Sequence, residues 1–315
     1  MRNDDALTAD EVAGLLQVSR SSVYKLVKAD ELASYHVGRK MRFTMGDVEN
    51  YIARSKRSRP PLQAASAASL FAMPRGRASS PPAAAYVLAG NDIVGDILAN
   101  YLGATNTAVD RIYEGSYNAL VDLYRGKVHA ALTHLYDGET DSYNVAAVKR
   151  LLPGVPLKVV RLVRRRQGLI VAKGNPKSLR TWDDLLQPGV RLVNRECGCG
   201  SRILLDEQLA RRGVSGAAIE GYEREANSAL SMASFVARGA ADVGIGAERV
   251  FHQVEGVGFL PLQDEWLDIV LAKRPGCERA VDAIAKLART RPFREEVGSI
   301  VGYDASRMGE VVFER

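Results

Sequence analysis

The sequence predicts an α/β fold that follows a short helical module with a β-hairpin. Three observations support this fold class. Apolar residues recur at helical spacing in the N-terminal part, a basic stretch rich in Pro and Ser then interrupts the pattern, and strand-like apolar runs alternate with helical patterns to the end. We therefore predict an N-terminal module over 1–54, a flexible linker over 55–83 and a larger α/β domain over 84–315.

Length and composition bound the class of protein. The 315 residues suffice for two or three folding units. The content of 46% hydrophobic and 25% charged residues is typical of globular proteins. No run approaches the roughly 20 apolar residues of a membrane span, the polar start does not resemble a secretory signal, and three cysteines cannot form a complete disulfide framework. We expect a cytoplasmic protein with no membrane partner.

The N-terminal module begins with a capping box. Thr8 can cap the first helical turn, and Glu11 can reach back to it. A second helix starts at Ser19, with Val23 among its inward residues. A basic hairpin is predicted over 37–43, before a last helix.

The second helix and the hairpin have the residue types that bind double-stranded DNA. Short polar residues at a helix N-terminus can approach base edges, and neighbouring Lys and Arg side chains neutralise phosphates. A helical protein-interaction domain is the alternative. The candidate DNA-contacting residues are Ser19, Arg20, Ser21, Ser22, Tyr24, Lys25, Lys28, Arg39, Lys40 and Arg42.

The same residues resemble a known family. The pattern Leu7-Thr8-x-x-Glu11-Val12-Ala13, continuing to Tyr24, and the later Val37-Gly38-Arg39-Lys40-x-Arg42-Phe43 resemble the excisionase-type, MerR-like helix-turn-helix family. The resemblance implies a winged helix-turn-helix that binds DNA. Ala29-Asp30 departs from the family, which usually has a Gly at this turn.

The linker is distinguished by its charge. The stretch 53–83 contains no Asp or Glu, and too little apolar surface to fold by itself. It is either a solvated tether or a segment that follows DNA phosphates. Its basic residues are Arg54, Lys56, Arg57, Arg59, Arg75 and Arg77.

Three stretches of the α/β domain can begin helices with exposed backbone donors. They are Gly90-Asn91-Asp92, Glu114-Gly115-Ser116 and 197–202. Glycine allows a ligand to approach the backbone, and the free N–H groups and dipole of a helix N-terminus favour an anion. Three such stretches in one α/β domain predict a shared cleft for an oxyanion.

These stretches resemble the periplasmic-binding-protein-like domain found in cytoplasmic proteins. The motifs include Arg166-Gln167-Gly168-Leu169, Trp182-Asp183-Asp184-Leu185 and Gly200-Ser201-Arg202. The resemblance implies a type II two-lobed fold that closes on a ligand, with molybdate or tungstate as the implied effector. One lobe would comprise 84–164 and 268–315, and the other 168–262. Asn227-Ser228 replaces a common Thr-His pair near the site.

The candidate ligand-binding residues combine the helix starts with these motifs. Arg166 and Arg202 are expected either to neutralise the anion or to pair with a carboxylate. His134 is expected to be a hydrogen-bonded structural histidine. The arginines at 161 and 164–166 are expected to form either a solvated strand face or a second DNA-contacting surface. The candidates are Asn91, Asp92, Gly115, Ser116, Tyr143, Asn144, Arg166, Gly200, Ser201 and Arg202.

The two modules together predict a bacterial transcriptional regulator that responds to a small anion. A homodimer or higher homo-oligomer is expected because one small module makes few base contacts. We expect no catalytic residues, no metal site and no cofactor besides the anionic effector, since Cys197-x-Cys199 lacks zinc-site spacing. The alternatives are an enzyme related to the molybdenum cofactor and an oxyanion storage or binding protein.

Overall fold

The computed structural model describes residues 7–16, 23, 26–27, 32–37, 40–44, 86–105 and 107–315. The chain divides into two compact units, Met1–Arg77 and Ala78–Arg315, and each is described by itself. Among the described residues, no helix is long and apolar enough to cross a bilayer.

The N-terminal unit starts with helix α1, Ala9–Leu16. The predicted capping box is confirmed: the Thr8 backbone N donates to a Glu11 carboxylate oxygen at 2.7 Å, and the Glu11 N donates to Thr8 Oγ1 at 3.3 Å. Strands β1 (Tyr35–Val37) and β2 (Lys40–Arg42) pair antiparallel, which confirms the hairpin.

A small apolar core holds this unit together. Val12, Val23, Leu32 and Phe43 are buried in it. The burial of these residues in one core holds the hairpin against α1. Phe43 and Leu7 also exchange two backbone hydrogen bonds.

Most of the predicted DNA-contacting face lies outside the described residues, as does the predicted linker, 55–83. Lys40 lies in β2, and the Arg42 guanidinium donates to the Met41 carbonyl. The members outside the described residues are Ser19, Arg20, Ser21, Ser22, Tyr24, Lys25, Lys28 and Arg39.

The second unit is an α/β structure with two lobes. Its strands are β3 Tyr86–Ala89, β4 Val109–Ile112, β5 Ala130–Thr133, β6 Tyr136–Asp137, β7 Ser142–Tyr143, β8 Leu157–Ala172, β9 Asn194–Arg195, β10 Glu225–Ala226, β11 Val243–Ala247, β12 Val257–Ala272, β13 Tyr303–Asp304 and β14 Val311–Glu314. Its α-helices are α2 Ile93–Gly103, α3 Ser116–Tyr124, α4 Val145–Leu151, α5 Gly200–Ala210, α6 Ala229–Ala237, α7 Glu248–Phe251, α8 Glu278–Leu287 and α9 Arg291–Gly298. Short 3-10 helices cover Asp183–Leu186 and Gly216–Ala218.

The first lobe contains parallel strands β3, β4 and β5, with β3 between the other two. Apolar residues are buried on both faces of this sheet. On one face it packs against α2, α8 and α9, and on the other against α3 and α4. Because the three strands run in the same direction, the loops after them meet at one edge.

The second lobe repeats this plan with short strands. β9 and β10 pair parallel, and an isolated parallel bridge joins Leu192 to Val243 at the start of β11. Helix α5 packs on one side of this lobe and α6 on the other.

Two long antiparallel strands connect the lobes. β8 and β12 each have 16 residues and pair along most of their length. The pairing register shifts between Pro261 and Gln263 and between Leu267 and Asp268. β8 pairs with β13 and β14 at its first-lobe end and with β11 at its second-lobe end.

The β6–β7 hairpin also joins the lobes. It follows β5 of the first lobe, yet Tyr136 and Tyr143 are buried in the apolar core of the second. The Gly138 N donates to Glu207 of α5 at 3.0 Å. Three connections therefore restrict how the lobes move relative to each other.

Candidate ligand-binding cleft

A cavity of about 210 Å³ lies between the lobes, where the loops after their strands meet. This is about seven times the volume that one water molecule occupies in the liquid. The cavity is smaller than pockets for drug-sized ligands, which begin at about 300 Å³. Its size therefore fits a small ligand. The first lobe contributes Asn91, Asp92, Gly115, Ser116 and His134, and the second contributes Arg195, Ser201, Ser228 and Arg249.

Four helices begin at this cavity. The N-cap residues of α2, α3, α5 and α6 are Asp92, Gly115, Cys199 and Ser228, and each of them lines it. Asp92 and Ser228 cap their own helices, whereas α3 and α5 have no side-chain cap. The positive ends of four helix dipoles favour an anion at this position.

Two buried serine hydroxyls each accept one hydrogen bond from the protein. Ser116 Oγ accepts from the His134 backbone N at 3.2 Å, and Ser201 Oγ accepts from Gln167 Nε2 at 3.0 Å. A hydroxyl that accepts one hydrogen bond keeps its own proton to donate. The two hydroxyls, one from each lobe, can therefore both donate to a ligand that accepts.

A buried ionic network lies behind the first-lobe side of the cavity. The Arg165 guanidinium donates to the carboxylates of both Asp92 and Glu265. Tyr303 donates its hydroxyl proton to Asp92 at 2.7 Å. Gln167 Nε2 donates to Glu265 at 2.8 Å, which extends the network to Ser201.

The charges of this network stabilise each other. Burial raises the pKa of Glu265, but the nearby Arg165 and His134, with the hydrogen bonds of His134 and Gln167, outweigh burial and lower it to about 2. Burial lowers the pKa of Arg165, yet Glu265 and Asp92 hold it well above its usual value. Both side chains therefore remain charged at neutral pH.

The second-lobe side contains two arginines, Arg195 and Arg249, whose surroundings differ. The buried Arg195 donates twice to its neighbour Glu196, at 2.8 and 2.7 Å, so that its charge is compensated. Arg249 lines the cavity and is partly buried, and within the described part of the chain it forms no salt bridge or hydrogen bond. Its guanidinium is thus available to a ligand.

The lobes are in contact at one rim of the cavity. The Tyr117 N, on α3, donates to the Gly198 carbonyl at 3.1 Å. A Cβ placed on Gly115 would collide with the backbone of Gly198 and lie 2.8 Å from the Cys199 N. The absence of a side chain at Gly115 therefore allows this close approach, and the conformation described is a closed one.

Comparison with known proteins identifies the family. The family model of the PBP superfamily domain matches residues 99–289, which is more than half of the chain. The chain belongs to the PBP superfamily. A second family model, of a helix-turn-helix domain, matches residues 6–56. The resemblances to both families are confirmed to this extent.

Two relatives match this chain at 38% identity. The uncharacterized protein YvgK of Bacillus subtilis (strain 168) is 38% identical over 317 residues, which cover 100% of both chains. An uncharacterized Clostridium pasteurianum protein from the 5' region of a 2Fe-2S ferredoxin gene is 38% identical over 112 residues, which cover 36% of this chain and 99% of that one.

The fold is shared with solved structures of low identity. EhuB in complex with hydroxyectoine has a TM-score of 0.52 and 15% identity, covering 71% of this chain and 92% of its own. A Clostridium perfringens structure described as a phosphate ABC transporter substrate-binding protein with bound phosphate has a TM-score of 0.50 and 13% identity, covering 71% and 98%. These likenesses establish the two-lobed fold.

The structure brings half of the sequence-predicted ligand residues of this PBP-superfamily domain together. Asn91, Asp92, Gly115, Ser116 and Ser201 line the cavity. The carboxylate of Asp92 accepts from Val94 N and from Arg165, so it supports the site instead of offering a donor.

The other predicted residues do not line the cavity. Asn144 Nδ2 donates to the buried Asp268 at 2.8 Å, and Tyr143 OH accepts from Gln263 at 2.6 Å in a different groove. Gly200 lies against the His134 ring. These three residues connect parts of the fold.

Two predicted arginines are paired with carboxylates, which is the alternative that the sequence left open. The exposed Arg166 pairs with Glu248. Arg202 donates to Glu225 at 2.5 Å and lies over the Tyr222 ring, 4.7 Å from its centre.

Sequence reasoning missed several residues of the cleft and its support. Arg165 belonged to a run interpreted as a solvated strand face, but only Arg164 and Arg166 of that run are exposed, whereas Arg161 and Arg165 are buried. The two-residue period of a strand would have separated them. Arg249 follows the end of β11. Because ligands of α/β folds bind beyond the carboxyl ends of the strands, its position in the sequence could have indicated this residue. No sequence signal pairs Gln167 with Glu265.

Proposed function

We propose that this chain is a ligand-responsive transcriptional regulator. The N-terminal helix-turn-helix would bind double-stranded DNA, and the PBP-superfamily domain would bind a small oxyanion in the cleft between its lobes. The main support for an anionic ligand is that four helix N-termini and two serine hydroxyls, which can donate to a ligand, meet at one cavity. We propose molybdate or tungstate as the first ligands to test, with sulfate and phosphate beside them.

The proposed ligand contacts come from both lobes. Asn91 and Ser116 of the first lobe, and Ser201 and Arg249 of the second, line the same cavity. A tetrahedral oxyanion has four acceptor oxygens and can accept from all of these groups at once. Because the donors come from different lobes, the anion would stabilise the closed form over an open one.

Regulation would follow from that difference in affinity. An anion can shift an open-to-closed equilibrium only as far as it prefers the closed state. In a proposed dimer, closure would reposition two helix-turn-helix domains relative to repeated half-sites about one helical turn apart. A homodimer or higher homo-oligomer is therefore part of the proposal.

Thermal unfolding with and without anions tests the receptor half of the proposal. At 100 times its dissociation constant, a ligand specific for the folded state adds about 2.7 kcal/mol to stability. We expect this gain for at least one of molybdate, tungstate, sulfate and phosphate. Arg249→Met should remove most of the gain. Arg180→Met, which changes the same charge at an exposed position outside the cavity, should keep it.

A gel-shift assay on DNA upstream of the encoding gene tests the regulatory half. The affinity for DNA should change when the stabilising anion is added, and Arg249→Met should lose the response while still binding DNA. Lys25→Ala and Arg39→Ala should weaken binding and reduce its salt dependence. Anion binding without any DNA binding would contradict the regulator and favour a storage or binding protein.

A further inference from the structure

His134 is the histidine that lines the cavity, and one of its ring nitrogens has a fixed role. It directly follows β5, and its Nδ1 lies 3.1 Å from Glu265 Oε2. Because neighbouring charges keep the buried Glu265 ionised, this carboxylate can only accept a hydrogen bond. The Nδ1 atom therefore carries a proton in both the neutral and the cationic ring.

The second ring nitrogen, Nε2, is different. Within the described part of the chain it has no hydrogen-bond partner. The ring lies against the first residue of α5: a Cβ on Gly200 would be 3.0 Å from Nε2. The side chain is 14% exposed and lines the cavity. A ligand in the cavity would thus lie beside the His134 ring.

The protonation state of His134 decides what Nε2 can offer. In the neutral ring it is an acceptor, and in the cationic ring it is a donor. The groups proposed to bind the ligand, Ser116, Ser201 and Arg249, are donors. A fully ionised oxyanion has only acceptor oxygens. Beside the neutral ring, these oxygens would face the lone pair of Nε2, and no hydrogen bond could form between them.

We propose that His134 determines which protonation state of an oxyanion the cleft accepts. A fully ionised dianion, such as sulfate, would bind together with a proton taken up from solution onto Nε2. An oxyanion that keeps its own proton, such as hydrogen phosphate, would donate that proton to Nε2 of the neutral ring. This inference rests on the proposed oxyanion site and specifies its selectivity.

The charges around His134 are consistent with this role. Glu265 lies behind the ring and is shared with Arg165. On the cavity side lie the paired Arg195 and Glu196, the partnered Asp92 and Glu114, and the cation Arg249. A bound dianion would add negative charge beside Nε2 and favour the imidazolium.

The pH dependence of binding tests the inference, with sulfate and phosphate as the two probes. Once the free protein no longer carries that proton, each further unit of pH should weaken sulfate binding by up to about tenfold, because each bound sulfate requires one proton. Calorimetry in buffers of different ionisation enthalpy should show uptake of up to about one proton per sulfate. Phosphate should show the smaller uptake, so selectivity should shift toward phosphate as pH rises.

Two variants separate His134 from the other histidines. His134→Gln retains a donor of similar reach but does not titrate, so the sulfate affinity should lose its pH slope. The matched control is His129→Gln, since His129 accepts from the Val87 N at 2.9 Å away from the cavity. It should keep the slope. NMR of the wild-type His134 ring, in which sulfate added at constant pH should place a proton on Nε2, provides the same test without a variant.

The outcomes are distinct. Sulfate binding without proton uptake, a slope that persists in His134→Gln, or a His134 ring that gains no Nε2 proton when sulfate is added would each overturn the inference and leave the oxyanion site in place. If neither sulfate, phosphate, molybdate nor tungstate binds at any pH, the proposed oxyanion site fails, and this inference fails with it.

Discussion

The first-lobe side of the cleft is held by a chain of buried ionic hydrogen bonds, whereas the second-lobe side consists of helix ends and a partly buried guanidinium. Arg165 joins Asp92 to Glu265 in the first case. Arg249 has no partner within the described residues in the second. One side is organised before a ligand arrives, and the other contains a charge that a ligand can compensate.

This difference suggests that the two lobes have different roles in ligand binding. Groups fixed in advance lose little conformational entropy on binding, so the first lobe would provide a template. The second lobe would provide the contacts that depend on closure. Gln167, in the strand that crosses between the lobes, bonds both Glu265 and Ser201 and so connects the two sides.

The largest expected effect comes from breaking the buried network. Arg165→Met leaves two buried carboxylates without their cation, which should cost about 3–5 kcal/mol of unfolding free energy. The adjacent Arg166→Met removes a half-exposed guanidinium and should cost at most about 1 kcal/mol. Urea denaturation measures both. Equal losses would contradict the contrast between the two positions.

Acid should weaken the same network. The pKa of Glu265 lies at about 2 in the folded protein, below its ordinary 4.5. Its contribution to stability is therefore complete above about pH 4.5 and is lost as the pH falls toward 2. The shift corresponds to about 3 kcal/mol. Glu265→Gln should be less stable at neutral pH and should lose less on acidification. A parallel acid limb in both proteins would refute this role.

Closure should depend on the small size of Gly115. In Gly115→Ala the new methyl group would meet the Gly198 backbone, at an expected cost of about 2 kcal/mol in the closed state. Anion affinity should fall about 30-fold, with a larger radius of gyration by small-angle scattering. Gly103→Ala, where an added Cβ has no neighbour within 4 Å, is the control and should bind normally. Unchanged affinity in both would mean that this contact does not limit closure.

The smallest expected effect concerns one hydroxyl. Ser201→Ala removes a proposed donor to the anion and should weaken binding about tenfold, or about 1.4 kcal/mol. Ser234→Ala, on α6 outside the cavity, should leave the affinity unchanged. Calorimetry on both variants gives the comparison. A Ser201→Ala protein that binds as tightly as Ser234→Ala would exclude that hydroxyl from the site.

The sequence alone determined that helical and strand-like segments alternate and where three of the four helices that meet the cavity begin. Asp92, Gly115 and the stretch up to Ser201 were readable because capping and glycine preferences act over a few neighbouring residues. The family patterns likewise identified both domains.

Tertiary structure alone decided which charges meet. Arg165 pairs with Glu265, 100 residues later, while Arg166 next to it faces solvent. Arg202 was a candidate ligand residue by motif, but it pairs with Glu225, and Arg249 lines the cavity without a partner in the described chain. A side chain's charge is fixed by its own chemistry, whereas its partner is fixed by the pairing of distant strands, which no local pattern encodes.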